Sequence, residues 1–220
     1  MTNAITPGAP AEPDRDCPRC PRLVEFRVRW RNLQPTWFNA PVPSFGPREV
    51  RLLVVGLAPG LQGANRTGRP FTGDYAGDLL YKTLQRYGFA AGRYEARPDD
   101  GLVLLDCRIT NAVRCVPPEN KPSGLEIANC REFLRNTIAE MVKLRAILAL
   151  GRIAHDSVLA SLGVRSSAAG FGHGRIHTIG DLRLYDSFHC SRLNTNTGRL
   201  TPQMFAAVFA EIRAQLDEPA

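Results

Sequence analysis

No stretch of the 220 residues approaches the roughly 20 consecutive apolar residues needed to cross a bilayer as a helix. The opening MTNAITPGAPAEPDRD also lacks the basic start and apolar run of an export signal, so the expected compartment is the cytoplasm, with no membrane partner. Cysteines number only six. A reducing cytosol argues against joining them as structural disulfides, and clustered ones read as metal or cluster ligands. The glycine-rich segments lack both the Gly-Lys-Ser/Thr ending of a P-loop and the spacing of a dinucleotide fingerprint, which leaves nucleotide hydrolysis unsupported. None of the four histidines is followed two residues later by Glu, which excludes a zinc deaminase. No lysine stands out as a Schiff-base nucleophile, and there is no internal repeat.

What is present is a basic balance: 28 Lys and Arg against 21 Asp and Glu, net +7 with a pI near 9.4. That favours a polyanionic partner through phosphate attraction and counterion release. Residues 1–16 are rich in Pro, Ala and acidic groups without periodicity and read as a disordered tail, with one domain over residues 17–220. Short apolar runs recur at 50–56, 102–110, 145–151 and 182–189 and predict four buried strands. Helix-like segments follow each of the first three, and TPQMFAAVFAEIRAQL closes the chain with Thr201 as N-cap and Pro202 at the first helical position. Alternating strands and helices imply an α/β fold with a mostly parallel sheet covered on both faces. Ligands then bind beyond the carboxyl ends of the strands, where the polar and glycine-rich segments lie.

Cys17 and Cys20 form a C-x-x-C pair, and Cys115 and Cys130 flank one predicted loop far downstream. Two adjacent and two distant thiolates close a tetrahedral site that zinc or a [4Fe-4S] cluster would accept, and spacing does not choose between them. Cys107 sits in a strand-like run and reads as a small core hydrophobe. Cys190 is assigned to no cluster.

Taken together, GLAPG at 56, GRPFTGD at 68, AVRCVPPENKP at 112 and HCSRLNTNTGRLT from 189 resemble the type-5 uracil-DNA glycosylases, an iron-sulfur branch of the uracil-DNA glycosylase superfamily. The resemblance implies a three-layer α/β/α fold with a central four-stranded parallel sheet. It also implies a structural [4Fe-4S] cluster on Cys17, Cys20, Cys115 and Cys130. The chemistry is hydrolysis of the bond between deoxyribose and uracil, or another deaminated base, in DNA. A monomer is expected.

Such chemistry needs a base flipped from the duplex, stacked on one face, bonded at its edge and relieved of developing charge. Phe71 offers the stacking face. Gly56, Leu57, Ala58 and Ser191 border the base. His189 donates to the base O2, while by resemblance Asn120 holds the water and Asp74 orients it or steadies the sugar cation. Leu57 stands where most branches of the superfamily carry a water-activating side chain. Asn111, typical of the uracil-specific branch, is expected to read the uracil edge. Arg192, Asn194 and Arg199 are the expected DNA contacts. Two rivals remain: a glycosylase acting mainly on hypoxanthine or xanthine, and a noncatalytic nucleic-acid-binding protein.

Overall fold

The structure, a computed structural model, describes residues 10–218. In chain order its elements are α1 (Pro21–Leu33), β1 (Leu52–Gly56), α2 (Ala64–Thr67), α3 (Tyr75–Arg86), β2 (Ala90–Ala91), β3 (Val103–Leu104), β4 (Cys107–Asn111), α4 (Gly124–Glu140), β5 (Ala146–Leu150), α5 (Arg152–Ser161), β6 (Ile176–Ile179), β7 (Leu182–Ser187), α6 (Arg192–Asn196) and α7 (Pro202–Asp217). The main sheet has the order β4-β1-β5-β7-β6. Its first four strands run parallel, with Leu52 beside Cys107 on one side and Ala146 on the other.

Along β1, alternate side chains serve opposite layers. Leu52 and Val54 join a core built with Leu80 and Leu84 of α3 and Phe205 and Phe209 of α7, whereas Leu53 and Val55 pack with Leu134 of α4 and Val158 of α5. That period of two, with every β1 residue buried, is what a central strand covered on both faces requires. Each buried Leu or Val contributes roughly 1.5–3 kcal/mol. The chain leaves β1 for β4 on one side and later returns to β5 on the other. The sheet therefore has a switch point at the carboxyl end of β1, where such folds open a crevice.

The helix starts are set by side chains the sequence supplies. Thr201 accepts from Met204 N at 3.1 Å with Pro202 at the first position of α7. Ser123 and Glu126 form a reciprocal capping box on α4, and Arg22 of α1 grips the same Glu126 at 2.7 and 2.8 Å.

The four expected parallel strands are present, and a fifth is added. β6 pairs antiparallel with β7 at the edge of the sheet. Its residues alternate between exposed and half-buried, so it carries no continuous apolar run to reveal it. The run at 102–110 is broken in two, because Asp106 takes a left-handed φ of 50° and its carboxylate accepts from Arg51 N and Nε. α1 was not anticipated: only Leu23 and Arg27 on it are buried. Of the expected disordered tail, residues 1–9 lie outside the described residues. Residues 10–16 are instead held to the domain. Glu12 pairs with Arg114 at 2.8 Å and Arg108 at 3.3 Å, and Asn136 Nδ2 donates to Pro10 O at 3.0 Å. This segment is fastened by polar contacts, which hydrophobic patterning does not detect.

Candidate active site

The loops leaving β1, β4 and β7 enclose a cavity of about 640 Å3 at the carboxyl ends of the strands. Its wall includes Leu57, Ala58, Phe71, Asp74, Asn111, Asn120, His189, Ser191 and Arg192. Residues spread over more than 130 positions are thus brought to one hollow by the parallel topology. Gly56 does not line the cavity; it lies behind Phe71 and Asn111. A methyl group on Gly56 would collide with Asn111 Oδ1 and come within 2.6 Å of Phe71 Cζ, so glycine is what lets both side chains seat there.

Phe71 is 6% exposed and holds a left-handed φ of 52°, a conformation uncommon for a bulky residue. Its surroundings impose this. Arg69 forms a bidentate pair with Asp100 at 2.8 Å for both bonds and donates to Thr72 Oγ1. Tyr81 and Tyr94 donate to the Pro70 and Phe71 carbonyls. The Phe71 ring is therefore fixed before any ligand arrives. His189 stacks against it, ring centroids 5.8 Å apart and planes 28° apart.

Asn111, at the end of β4, is buried, and its Oδ1 has no hydrogen-bond partner among the described residues. An unpaired buried acceptor costs about 1–3 kcal/mol until a donor is supplied. Burial pushes the His189 imidazole down to about 4, so at neutral pH it is uncharged, with one N–H to donate and one nitrogen to accept. Asp74 serves two ends. Its Oδ1 caps α3 by accepting from Gly77 N at 3.2 Å, while Oδ2 faces the backbone of Gly60 and Gly63. Burial raises its carboxyl above the usual range, against the opposing bond from Gly77. Asn120 is exposed at the rim in the left-handed region (φ 57°), directly after Glu119 (φ 55°), and its side chain makes no hydrogen bond among the described residues.

At the mouth, Ser191 caps α6 and Arg192 lies over the Tyr75 ring at 5.2 Å. Asn194 turns inward: its Nδ2 donates to His189 O at 2.8 Å, which commits its amide to the loop. Arg199 lies over Phe188 at 4.5 Å, beside a second hollow that shares Leu57 and His189 with the first. Leu193, which the sequence did not single out, is 71% exposed between them.

On another part of the surface, Cys17, Cys20, Cys115 and Cys130 line one hollow with Leu23, Val113 and Phe133. All four are free thiols. Three receive N–H donors: Cys115 from Arg27 at 3.6 Å, Cys130 from Arg114 N at 3.3 Å and Cys20 from Asn129 at 3.8 Å. Arg27 is 3% exposed and forms no ion pair among the described residues, a buried cation facing sulfur. Burial pushes Cys115 up to about 12 and Cys130 up to about 11, so these thiols ionise only against added positive charge such as a metal. Cys107 and Cys190 are fully buried in the core.

Comparison with known proteins agrees with this geometry. The profile of the Uracil DNA glycosylase superfamily matches residues 43–213. The chain is 44% identical over 204 residues to the Type-5 uracil-DNA glycosylase of Thermus thermophilus, covering 90% of this chain and 92% of that one. It is 41% identical to the Type-5 uracil-DNA glycosylase of Pyrobaculum aerophilum, over 90% and 88% of the two chains. Identity to a Type-4 uracil-DNA glycosylase of Pyrobaculum aerophilum is 32% over 164 residues. The chain belongs to the type-5 branch of the uracil-DNA glycosylase superfamily. The matched span takes in every loop of the cavity, while Cys17 and Cys20 lie ahead of it. No helix among the described residues is long and apolar enough to cross a membrane.

Proposed function

We propose that the cavity hydrolyses the N-glycosidic bond between deoxyribose and uracil in DNA, leaving an abasic site. One observation carries this reading: a fixed aromatic face (Phe71), an unpaired buried amide oxygen (Asn111 Oδ1) and a neutral imidazole (His189) converge on one cavity. A flipped base stacks on Phe71. Asn111 Oδ1 accepts from its N3–H, and Nδ2 donates to O4, a pattern that cytosine, with a bare N3 and an amino group at C4, does not match. As the bond breaks, negative charge grows on the base and neutral His189 donates to O2. Asn120 holds a water at the rim, and the Asp74 carboxylate steadies the sugar cation. Leu57 contributes packing alone, so no side chain there acts as base.

Arg192 and Arg199 meet phosphates, and exposed Leu193 supplies an apolar wedge of the kind that separates base steps. Cys17, Cys20, Cys115 and Cys130 hold a [4Fe-4S] cluster, whose net negative charge suits the buried, unpaired Arg27. When bound, it ties α1 to the loop after β4 and to α4, a structural role. The protein works as a cytoplasmic monomer.

The test is direct. Incubation with oligonucleotides carrying uracil, hypoxanthine or xanthine, followed by alkali, should cleave the uracil strand fastest. Cleavage of a purine substrate ahead of uracil would overturn uracil as the preferred base, and binding without turnover of any would overturn the enzymatic reading.

A further inference from the structure

Behind β7, away from the base, lies a buried polar network. His155 of α5 and Asp186 of β7 are both fully buried, with His155 Nδ1 2.6 Å from Asp186 Oδ1. His155 Nε2 lies 2.8 Å from Ala169 O, and a carbonyl only accepts, so Nε2 carries a hydrogen. One further proton is therefore shared between Nδ1 and Oδ1. Asp186 Oδ2 accepts from Gly172 N at 3.2 Å and contacts His177 Nε2 at 3.1 Å. Both nitrogens of His155 and both oxygens of Asp186 are engaged, so the network is complete without an ion.

Its reach extends to the active site through the loop it grips. Backbone bonds of Asp186 also hold Arg175 O and Gly174 N. Within residues 169–174, His173 stacks on Phe188 at 5.1 Å and accepts from Phe188 N at 3.2 Å. Phe171 also packs here, 6.2 Å from Phe188 and 5.7 Å from His155. Phe188 is the residue before His189. We propose that Asp186, with His155, is a positioning residue for His189: it pins the 169–174 loop, whose two aromatic rings clamp Phe188 and so fix the imidazole against Phe71. This rests on the reading in which His189 acts on the leaving base.

A double-mutant cycle on the intact iron-containing protein tests it. Asp186→Ala should slow single-turnover uracil release about tenfold or more, as expected for a displaced catalytic group, with abasic-DNA affinity held within about twofold. In a His189→Ala background the same change should cost nothing further. Asp186→Asn should stay within about threefold of the parent rate, because its amide donates to His155 Nδ1 and its oxygen accepts from Gly172 N. If Asp186→Ala does not fold, His173→Ala removes the stacked ring and the acceptor of Phe188 N while leaving His155 and Asp186 in place, and the same cycle is run with it. An undiminished loss in the His189→Ala background, an Asn variant as slow as the Ala variant, or parent rates in both Asp186→Ala and His173→Ala would overturn the proposal. A parent rate for His189→Ala itself would instead remove the reading beneath it.

Discussion

Replacing Gly56 by Ala adds one methyl group at the tightest point behind the cavity. The new carbon would overlap Asn111 Oδ1 and stand 2.6 Å from Phe71 Cζ and 2.9 Å from Cε2. Carbon atoms pack at about 3.5–4.0 Å, so the ring must retreat by about 1 Å. It has no easy route, since the neighbouring backbone carbonyls are held by Tyr81 and Tyr94. Gly56 is not in the left-handed region, so the effect is steric and not a backbone penalty. Overpacking of this kind costs about 1–3 kcal/mol of stability. A shift of that size in a group that orients the reactant costs on the order of a hundredfold in rate. The assay is single-turnover uracil release with enzyme in excess, run below the thermal midpoint of the variant. A folded Gly56→Ala protein that cleaves within about threefold of the parent would refute the claim that Phe71 and Asn111 form the base-binding face.

Asn111→Ala should lower single-turnover uracil excision, because the contact to the base N3–H and O4 is lost, while leaving the thermal midpoint close to the parent's; a parent rate would make Asn111 structural. The depressed His189 pKa of about 4 has a stability consequence. The unfolded chain binds this proton near pH 6.5 and the folded one only near 4. Stability is therefore full above about pH 6.5 and falls across that window by roughly 3 kcal/mol at most, a slope that denaturant titrations should find flattened in His189→Gln. Cys17→Ala or Cys115→Ala should lower both iron content and soluble yield, and zinc without iron in anaerobically prepared parent protein would contradict the cluster.

The legible part of this fold was its interior. The runs that became β1, β5 and β7 are apolar because central parallel strands are covered on both faces, and the caps at Ser123 and Thr201 carry their own side-chain chemistry. β6, α1 and residues 10–16 were not legible for the complementary reason: each is secured by edge pairing or polar contacts, which leave no periodic apolar signature. At the site, Phe71 and His189 stand in loop motifs legible in the sequence, while Asn111 is the last residue of β4. Gly56 entered as part of the same motif, but its steric role emerges only in three dimensions. Asn194 reads as a DNA contact in sequence, yet its Nδ2 is given to the His189 carbonyl. The pairing of His155 with Asp186 joins positions 31 apart through the sheet register, and neither residue sits in a recognisable motif.

In the proposed reaction His189, Asn120 and Asp74 act together on the glycosidic bond in a cavity without a water-activating side chain at Leu57. Single-turnover uracil release by His189→Ala, Asn120→Ala and Asp74→Ala tests it most directly, because chemistry is then separated from product release. Each variant is expected to be slowed on the order of a hundredfold or more, with abasic-site binding and the iron signal largely kept. Near-parent rates in all three would mean that the bond is broken elsewhere than in this cavity.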